Sequence, residues 1–323
     1  MRDLEACLRS ASWRPAHGVD RSFVRHCHPI LSPGQIWQEA PADVPRLSVV
    51  IPTVDARRGS YFAQLLWQIS AQRFHDYELI VVRGDPRQGR AINTGAGLAR
   101  GEYLVILDDD TSLPDPETFG KLAAVMDAHP DIGLAGGNNV VPPDASAFVR
   151  RAMQQLPRRS WLPVREITES DLAEHPCLIM RTAEFKALGG ENELIPRGLD
   201  PYLRQTYRES GKRIVVAPGI IYHHLPPDSW HRLLAQSFRN GKQAAFVNRY
   251  YPQWVIETPT HHGDFVARKP FSSRVLRYWW SLVQSVGTGK DVWFLYQLGY
   301  AVGFLVGWVL PGDTSGRARE RHL

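Results

Sequence analysis

The chain has 323 residues, 43% of them hydrophobic and 22% charged, which suffices for a sizeable core in one large or two intimate domains and excludes disordered and collagen-like architectures. Its formal charge of +5, from 38 basic and 33 acidic residues, is modest and comes without a nucleic-acid-binding signature, so nucleic acid is not an expected partner; a membrane surface or an anionic ligand is compatible with it. Cys7, Cys27 and Cys177 are odd in number, far apart and free of any CxxC spacing, which argues against a disulfide framework or structural zinc and for a reducing, cytoplasmic compartment.

Residues 1–45 are rich in Pro, His and Trp without a sustained period and read as an N-terminal extension. Its opening residues carry acids and no apolar run, so no secretory signal is expected. The triplet His26-Cys27-His28 lacks a second ligand pair at zinc spacing. From Leu47 the pattern changes. Leu47 to Pro52 is a short, β-branched apolar run ended by proline, a buried strand. Tyr61, Leu65, Leu66 and Ile69 recur at helical spacing. Glu78 to Val82 is a second strand, residues 88–99 a helix, Tyr103 to Leu107 a third strand, residues 116–128 a helix and Ile132 to Ala135 a fourth strand. This alternation predicts a mostly parallel α/β sheet covered by helices on both faces, whose ligands sit beyond the C-terminal strand ends. The second half is less regular. Residues 142–175 are rich in Pro, Arg and Glu and read as holding a mobile loop around Trp161. Arg213 to Pro218 is another strand and residues 229–248 a helix. Val292 to Leu310 is a nineteen-residue run without a charge.

The chemistry concentrates after the third strand, in Asp108-Asp109-Asp110-Thr111. Three carboxylates at a buried strand end are costly unless solvated, paired or bound to a cation. Turn formation is the plain alternative. Hard oxygen ligands suit Mg²⁺ or Mn²⁺, and alternation along an extended segment lets Asp108 and Asp110 face one ion while Asp109 turns elsewhere.

At these residues the chain resembles the family 2 glycosyltransferases of the GT-A fold. The resemblance is carried by Pro52-Thr53 at the end of the first strand, Asn93-Thr94-Gly95 in the helix, Ala99-Arg100-Gly101-Glu102-Tyr103, and the DxD-type Asp108-Asp109-Asp110. It continues in Phe185 to Gly190, in Gly198-Leu199-Asp200 with the following Leu203-Arg204, and in the strand from Ala217-Pro218 to His223-His224. It covers roughly residues 46–250. Two departures stand out. The second strand of the family ends in Val-Asp-Asp-Gly-Ser, with an Asp on the nucleotide base; here Val82-Arg83-Gly84-Asp85-Pro86 stands there, with Asp85 the candidate replacement. The family's Glu-Asp pair is Leu199-Asp200.

The resemblance implies an inverting, divalent-metal-dependent transferase (Mn²⁺ or Mg²⁺) that moves a sugar from a nucleotide-sugar donor to a carbohydrate or lipid-linked acceptor. Residues 46–140 would form the nucleotide-sugar-binding half, 141–255 the acceptor half, and 256–323 a helical tail. Asp108, Asp110 and His223 would hold the metal, strand alternation allowing only one of His223 and His224 to face it. Pro52, Thr53, Asp85, Arg90, Asn93, Asp108 and Asp109 would line the donor site, although for Arg90 a solvated helix charge is an equal reading. Asp200 is the candidate general base, with helix capping as its plain alternative and Glu191 or Glu193 next in line. No residue offers a covalent nucleophile with its own activating base, which agrees with inversion by one displacement.

The apolar tail is long enough for about 28 Å of helix, close to a bilayer's hydrocarbon thickness. Gly299, Gly303 and Gly307 recur every fourth residue as in close-packed membrane helices, and Arg274, Arg277, Tyr278, Trp279 and Trp280 precede it as an interfacial belt. The tail therefore spans a membrane, lies on one, or folds back on the catalytic domain or on a second copy in a homo-oligomer. Basic residues on both flanks, Lys290 and Arg317, Arg319 and Arg321, leave its orientation open; the cytoplasmic membrane face is the expected location. Two rivals differ in class. A sugar nucleotidyltransferase would need a Gly-rich, Arg-containing loop where Pro52-Thr53-Val54-Asp55-Ala56 stands. A non-catalytic membrane scaffold would lack nucleotide-sugar hydrolysis.

Overall fold

A computed structural model of the chain describes residues 3–29, 34–40, 42–157, 162–256, 262 and 270–310. In chain order these form α1 (Leu4–Arg9), β1 (Arg14–Pro15), β2 (Gln35–Glu39), β3 (Leu47–Thr53), α2 (Tyr61–Ser70), β4 (Tyr77–Arg83), α3 (Gln88–Leu98), β5 (Tyr103–Ile106), β6 (Thr111–Ser112), α4 (Thr118–Ala128) and β7 (Ile132–Asn139). There follow α5 (Ala147–Gln155), β8 (Thr168–Glu169), β9 (Leu178–Arg181), α6 (Thr182–Ala187), α7 (Leu199–Glu209), β10 (Arg213–His224), α8 (Trp230–Tyr250), α9 (Phe271–Gly287) and α10 (Asp291–Val309). Trp161, Arg317, Arg319 and Arg321 lie outside the described residues.

One sheet runs in the order β1-β2-β4-β3-β5-β9-β7-β10-β6, with β8 on β10. The pairs β3–β4, β3–β5 and β7–β10 are parallel. Every residue of β3 is buried, as expected of a strand covered on both faces. Alternation divides its neighbours between two cores. Val49, Ile51, Leu79, Val81 and Val105 face one; Val50, Ile80, Val82, Leu104 and Ile106 face the other. The α/β architecture read from the strand–helix rhythm is therefore the fold, with the expected parallel pairing in β4-β3-β5 and β7-β10.

Two features depart from the sequence reading. β9, the run Leu178-Ile179-Met180-Arg181, enters antiparallel between β5 and β7, so the sheet is mixed at its centre. The segment read as an extension is part of the sheet: β2 pairs antiparallel with residues 79–83 of β4, β1 pairs with β2, and α1 packs on α2. Ile36 and Trp37 are buried there because they continue the hydrophobic faces of β4 beyond its edge.

The tail folds back on the chain. α10 lies along α8 so closely that a Cβ on Gly303 would stand 2.0 Å from the Phe238 carbonyl oxygen and one on Gly241 2.0 Å from that of Tyr300. Gly299 and Gly307 line the same seam, against Ser237 and Lys242. The four-residue glycine period thus serves a contact within the chain. α9 packs on α10, with Tyr278 donating to the Gln297 carbonyl at 2.8 Å, and leaves Leu276, Trp279, Trp280, Val283 and Val286 exposed.

Candidate active site

The C-terminal ends of β3 and β5 bring Thr53 and the three acids together, and β10 supplies a histidine from the other side. Its last two residues pair antiparallel with Thr111–Ser112, the residues directly after the acids. The pairing brings in His224. Its Nε2 lies 3.2 Å from Asp110 Oδ1 and 4.0 Å from Asp108 Oδ2. One ligand atom each from Asp108, Asp110 and His224 fall within 4.8 Å of one another. The expectation that His223 would be the third member is corrected. Its ring turns to the opposite side, where Nδ1 donates to the Val140 carbonyl at 2.6 Å. β10 carries a register irregularity between Val216 and Ile221, around the positive-φ Gly219, which decides which of the two neighbours faces the acids.

Two carboxylates and an imidazole form a mixed donor set that suits a divalent first-row ion such as Mn²⁺. Burial pushes Asp108 up to about 6, with the nearby Asp110 and Asp200 carboxylates adding to the rise. Burial also works against the charge of Asp110, but His224 and Arg58 outweigh it and hold that carboxyl well below the usual range. Arg58 was not foreseen from the sequence. Its guanidinium reaches Asp110 Oδ2 at 2.7 Å and 3.1 Å and lies 3.6 Å from Asp109 Oδ1. The loop that carries it bends through positive φ at Ala56 (56°) and Arg58 (41°), conformations that cost non-glycine residues on the order of 1–3 kcal/mol each and collect at functional sites.

Asp109 accepts a 2.6 Å bond from Thr53 Oγ1, which in turn accepts from the Ala56 amide, so the Pro52-Thr53 end of β3 holds the middle acid and the Arg58 loop in place. Gln88, also unforeseen, opens α3 and donates to Asp108 Oδ1 at 2.9 Å. Pro52 is buried in the sheet.

Three residues expected to line the donor site are engaged elsewhere. Arg90 and Asp85 form a buried ion pair at 2.8 Å, and Arg90 also donates to the Pro29 carbonyl beside His28. A contact of Arg90 with a diphosphate, or of Asp85 with a base, would require breaking that pair. Asn93 is fully buried and clamps the loop after α6: Nδ2 donates to the Glu191 carbonyl and to Glu193, and Oδ1 accepts from the Glu191 amide at 2.8 Å. Gly190 permits this contact, because its φ is 64° and a Cβ there would stand 2.5 Å from Asn93 Oδ1.

Asp200 lies in the first turn of α7, two residues past Gly198, which holds the N-cap position with φ 85°. Its side chain is not the cap. Oδ1 accepts the backbone N–H of His175 at 2.8 Å and stands 3.2 Å from that residue's ring Nδ1. The other ring nitrogen, Nε2, meets Glu191 Oε1 at 2.8 Å. Desolvation disfavours an imidazolium here, but the Asp200 and Glu191 carboxylates overcome it and push His175 up to about 10. His175 opens a three-residue 3-10 helix, too short to show a period, and nothing in the sequence marks it.

The sheet, its flanking helices and the carboxylate cluster at the strand ends form the GT-A fold. Residues 83–184 match the sequence model of glycosyl transferase family 2, the family that the motifs resemble. No curated protein sequence matches the chain. Among solved structures, the chain is similar to the mannosyltransferase PcManGT from Pyrobaculum calidifontis in complex with GDP-Man and Mn²⁺, at 15% identity over 85% of this chain and 90% of that one, with a TM-score of 0.54. It is also matched by S. aureus TarS 1-349 in complex with UDP-GlcNAc, at 15% identity over 82% of this chain and 90% of that one, with a TM-score of 0.43.

Proposed function

We infer that this glycosyltransferase moves a sugar from a nucleotide-sugar donor to a hydroxyl of a carbohydrate or lipid-linked acceptor, with inversion in a single displacement. The observation that carries the reading is the convergence of Asp108, Asp110 and His224 at the end of the sheet, the two acids lying in the segment that matches the family model. Those three residues would hold a divalent ion, Mn²⁺ or Mg²⁺, which when bound supplies positive charge to neutralise the departing diphosphate. Asp200 accepts the proton of the acceptor hydroxyl; the freed oxygen attacks the anomeric carbon, and the bond from that carbon to the diphosphate oxygen breaks. Thr53 and Gln88 hold the acids in place through the cycle. The Mn²⁺ and GDP-Man of the Pyrobaculum structure make GDP-mannose the first donor to try.

The same reading places the protein on the cytoplasmic face of a membrane. α10 is long and apolar enough to cross one, with a mean hydropathy of 1.5. Its glycine seam binds it to α8, however, which carries Arg232, Arg239, Lys242 and Arg249 and is unsuited to the hydrocarbon core. The exposed Trp279 and Trp280 with Arg277 instead favour docking in the interfacial layer.

The test is Asp200→Asn. Gly198 holds the cap position, so the variant should stay folded, with a loss of stability limited to the charge that faces His175. Donor binding should persist, while transfer falls by about 10²-fold or more. Transfer within a few-fold of the parent would remove Asp200 from the mechanism.

A further inference from the structure

The buried residues behind Asp200 are not accounted for by donor binding or by packing. Glu191, His175 and Asp200 form a line that runs from the core to the site. Glu191 is fully buried, His175 nearly so, and the Asp200 side chain is 30% exposed. Burying two ionisable side chains for packing alone is unfavourable compared with apolar residues of the same size. The segment that carries His175 is fixed from two sides. The Arg204 guanidinium of α7 donates to the Ala173 carbonyl at 2.7 Å. The hydroxyl of Thr111, the residue next to the acids, donates to the Pro176 carbonyl at 2.9 Å. The histidine is thereby tied to both the helix bearing Asp200 and the strand end bearing the carboxylate cluster.

We propose that His175, held by Glu191, is a positioning residue for the reaction: its ring N–H and backbone N–H fix the plane of the Asp200 carboxylate and set its charge against a buried cationic partner. The inference rests on the reading of Asp200 as the base. A carboxylate facing other carboxylates is driven towards its protonated form, in which it cannot accept a proton. A cation fixed against one of its oxygens reverses that tendency. The two contacts to Oδ1, from the backbone N–H and from Nδ1, also set the direction from which the acceptor is approached. The charged groups that face His175 are Asp200, Glu191 and, further off, Asp108; Arg204 in turn faces Glu191. During transfer the imidazolium keeps its proton. The acceptor proton moves to Asp200 and leaves with solvent after the nucleoside diphosphate departs.

Two isosteric changes separate the halves of the contact. Asparagine at 175 places an amide N–H near the position of Nδ1, so His175→Asn retains a donor to Asp200. Glutamine reaches towards the position of Nε2, so His175→Gln retains a partner for Glu191 and loses the ring contact to Asp200, while the backbone N–H contact remains. The double variant His175→Gln/Glu191→Gln removes the buried acid as well and guards against loss of folding through an unpaired charge. The readout is steady-state release of nucleoside diphosphate from the nucleotide sugar the parent turns over, from pH 5 to 9, beside ring ¹⁵N spectra of His175. In His175→Gln and in the double variant, kcat should fall at least about tenfold with donor KM unchanged, and the acidic limb of the pH profile should move to higher pH, because Asp200 has lost its cation. His175→Asn should recover part of kcat. In the parent the ring should stay protonated well above the ordinary histidine range, and Asp200→Asn should lower that point. Full kcat with an unmoved pH limb in His175→Gln, while Asp200→Asn is slow, would overturn the proposal and leave the base in place. Full turnover in Asp200→Asn would instead overturn the reading on which it rests. A His175 ring that titrates in the ordinary range in the folded parent would overturn the proposal without reference to turnover.

Discussion

A Cβ on Gly303 would stand 2.0 Å from the Phe238 carbonyl oxygen, 2.8 Å from its carbonyl carbon and 2.9 Å from its Cα. All three are backbone atoms of a helix and cannot rotate away. Bringing the carbon–oxygen contact to about 3.3 Å requires the helices to part by about 1.3 Å. That movement also loosens the contacts of Gly241, Gly299 and Gly307, which share the seam. In Gly303→Val the overpacking should therefore fall at the upper end of the usual ~1–3 kcal/mol. The helix propensity gained over glycine returns only a few tenths of a kcal/mol. A loss of about 2–3 kcal/mol should lower the melting temperature by several degrees, or release α10 first. Thermal unfolding followed by circular dichroism, with limited proteolysis of the turn at Thr288–Lys290, reports both outcomes. Gly287→Ala is the control. A Cβ there meets nothing within 4 Å, so this variant should melt at or slightly above the parent temperature. A Gly303→Val protein with the parent's melting curve and protease resistance would refute the packing of α10 on α8 and return the glycine period to contacts with other membrane helices.

Other consequences follow from the site and the tail. Arg58 occupies Asp110 with two short bonds and competes with a cation, so Arg58→Gln should bind Mn²⁺ several-fold more tightly by calorimetry without nucleotide; unchanged affinity would contradict this. His175 is raised to about 10 from its ordinary 6.5, so the stability it contributes is fully present below about 6.5 and lost as pH rises through about 10; the raised Glu191 acts in the same sense. The stability advantage of the parent over His175→Gln/Glu191→Gln in urea should accordingly shrink from pH 6.5 to 10.5, and an advantage that grows with pH would be inconsistent with the buried pair. Trp279→Ser/Trp280→Ser should weaken co-sedimentation with vesicles containing anionic lipid; equal sedimentation would exclude the α9 face as the docking surface.

The strands flanking the acids were legible because each is a short, buried, β-branched run separated by a helical period, a pattern that fixes local structure without long-range information. β3, β4, β5 and β7 begin within a residue of the expected positions. β9 was missed because a four-residue strand entering antiparallel after an irregular segment has no period of its own; Leu178-Ile179-Met180 was its only local trace. The choice between His223 and His224 could not be made by counting along β10, since the irregularity between Val216 and Ile221 resets the alternation. Arg90 and Asp85 read as donor contacts because their burial depends on a distant segment, His28 and Pro29, which closes over them. His175 opens a three-residue 3-10 helix and Arg58 lies in a loop, and only the folded chain brings them to the acids.

The central claim is that Asp108, Asp110 and His224 form a metal-dependent donor site. The most direct test is calorimetric binding of GDP-mannose, and of other nucleotide sugars if that donor gives no heat, with and without Mn²⁺, to the parent, His224→Ala and His223→Ala. Metal-dependent binding should be present in the parent, retained within a few-fold in His223→Ala, whose ring meets Val140, and lost or weakened by about tenfold or more in His224→Ala. Metal-independent binding throughout, or loss in His223→Ala with retention in His224→Ala, would contradict the site.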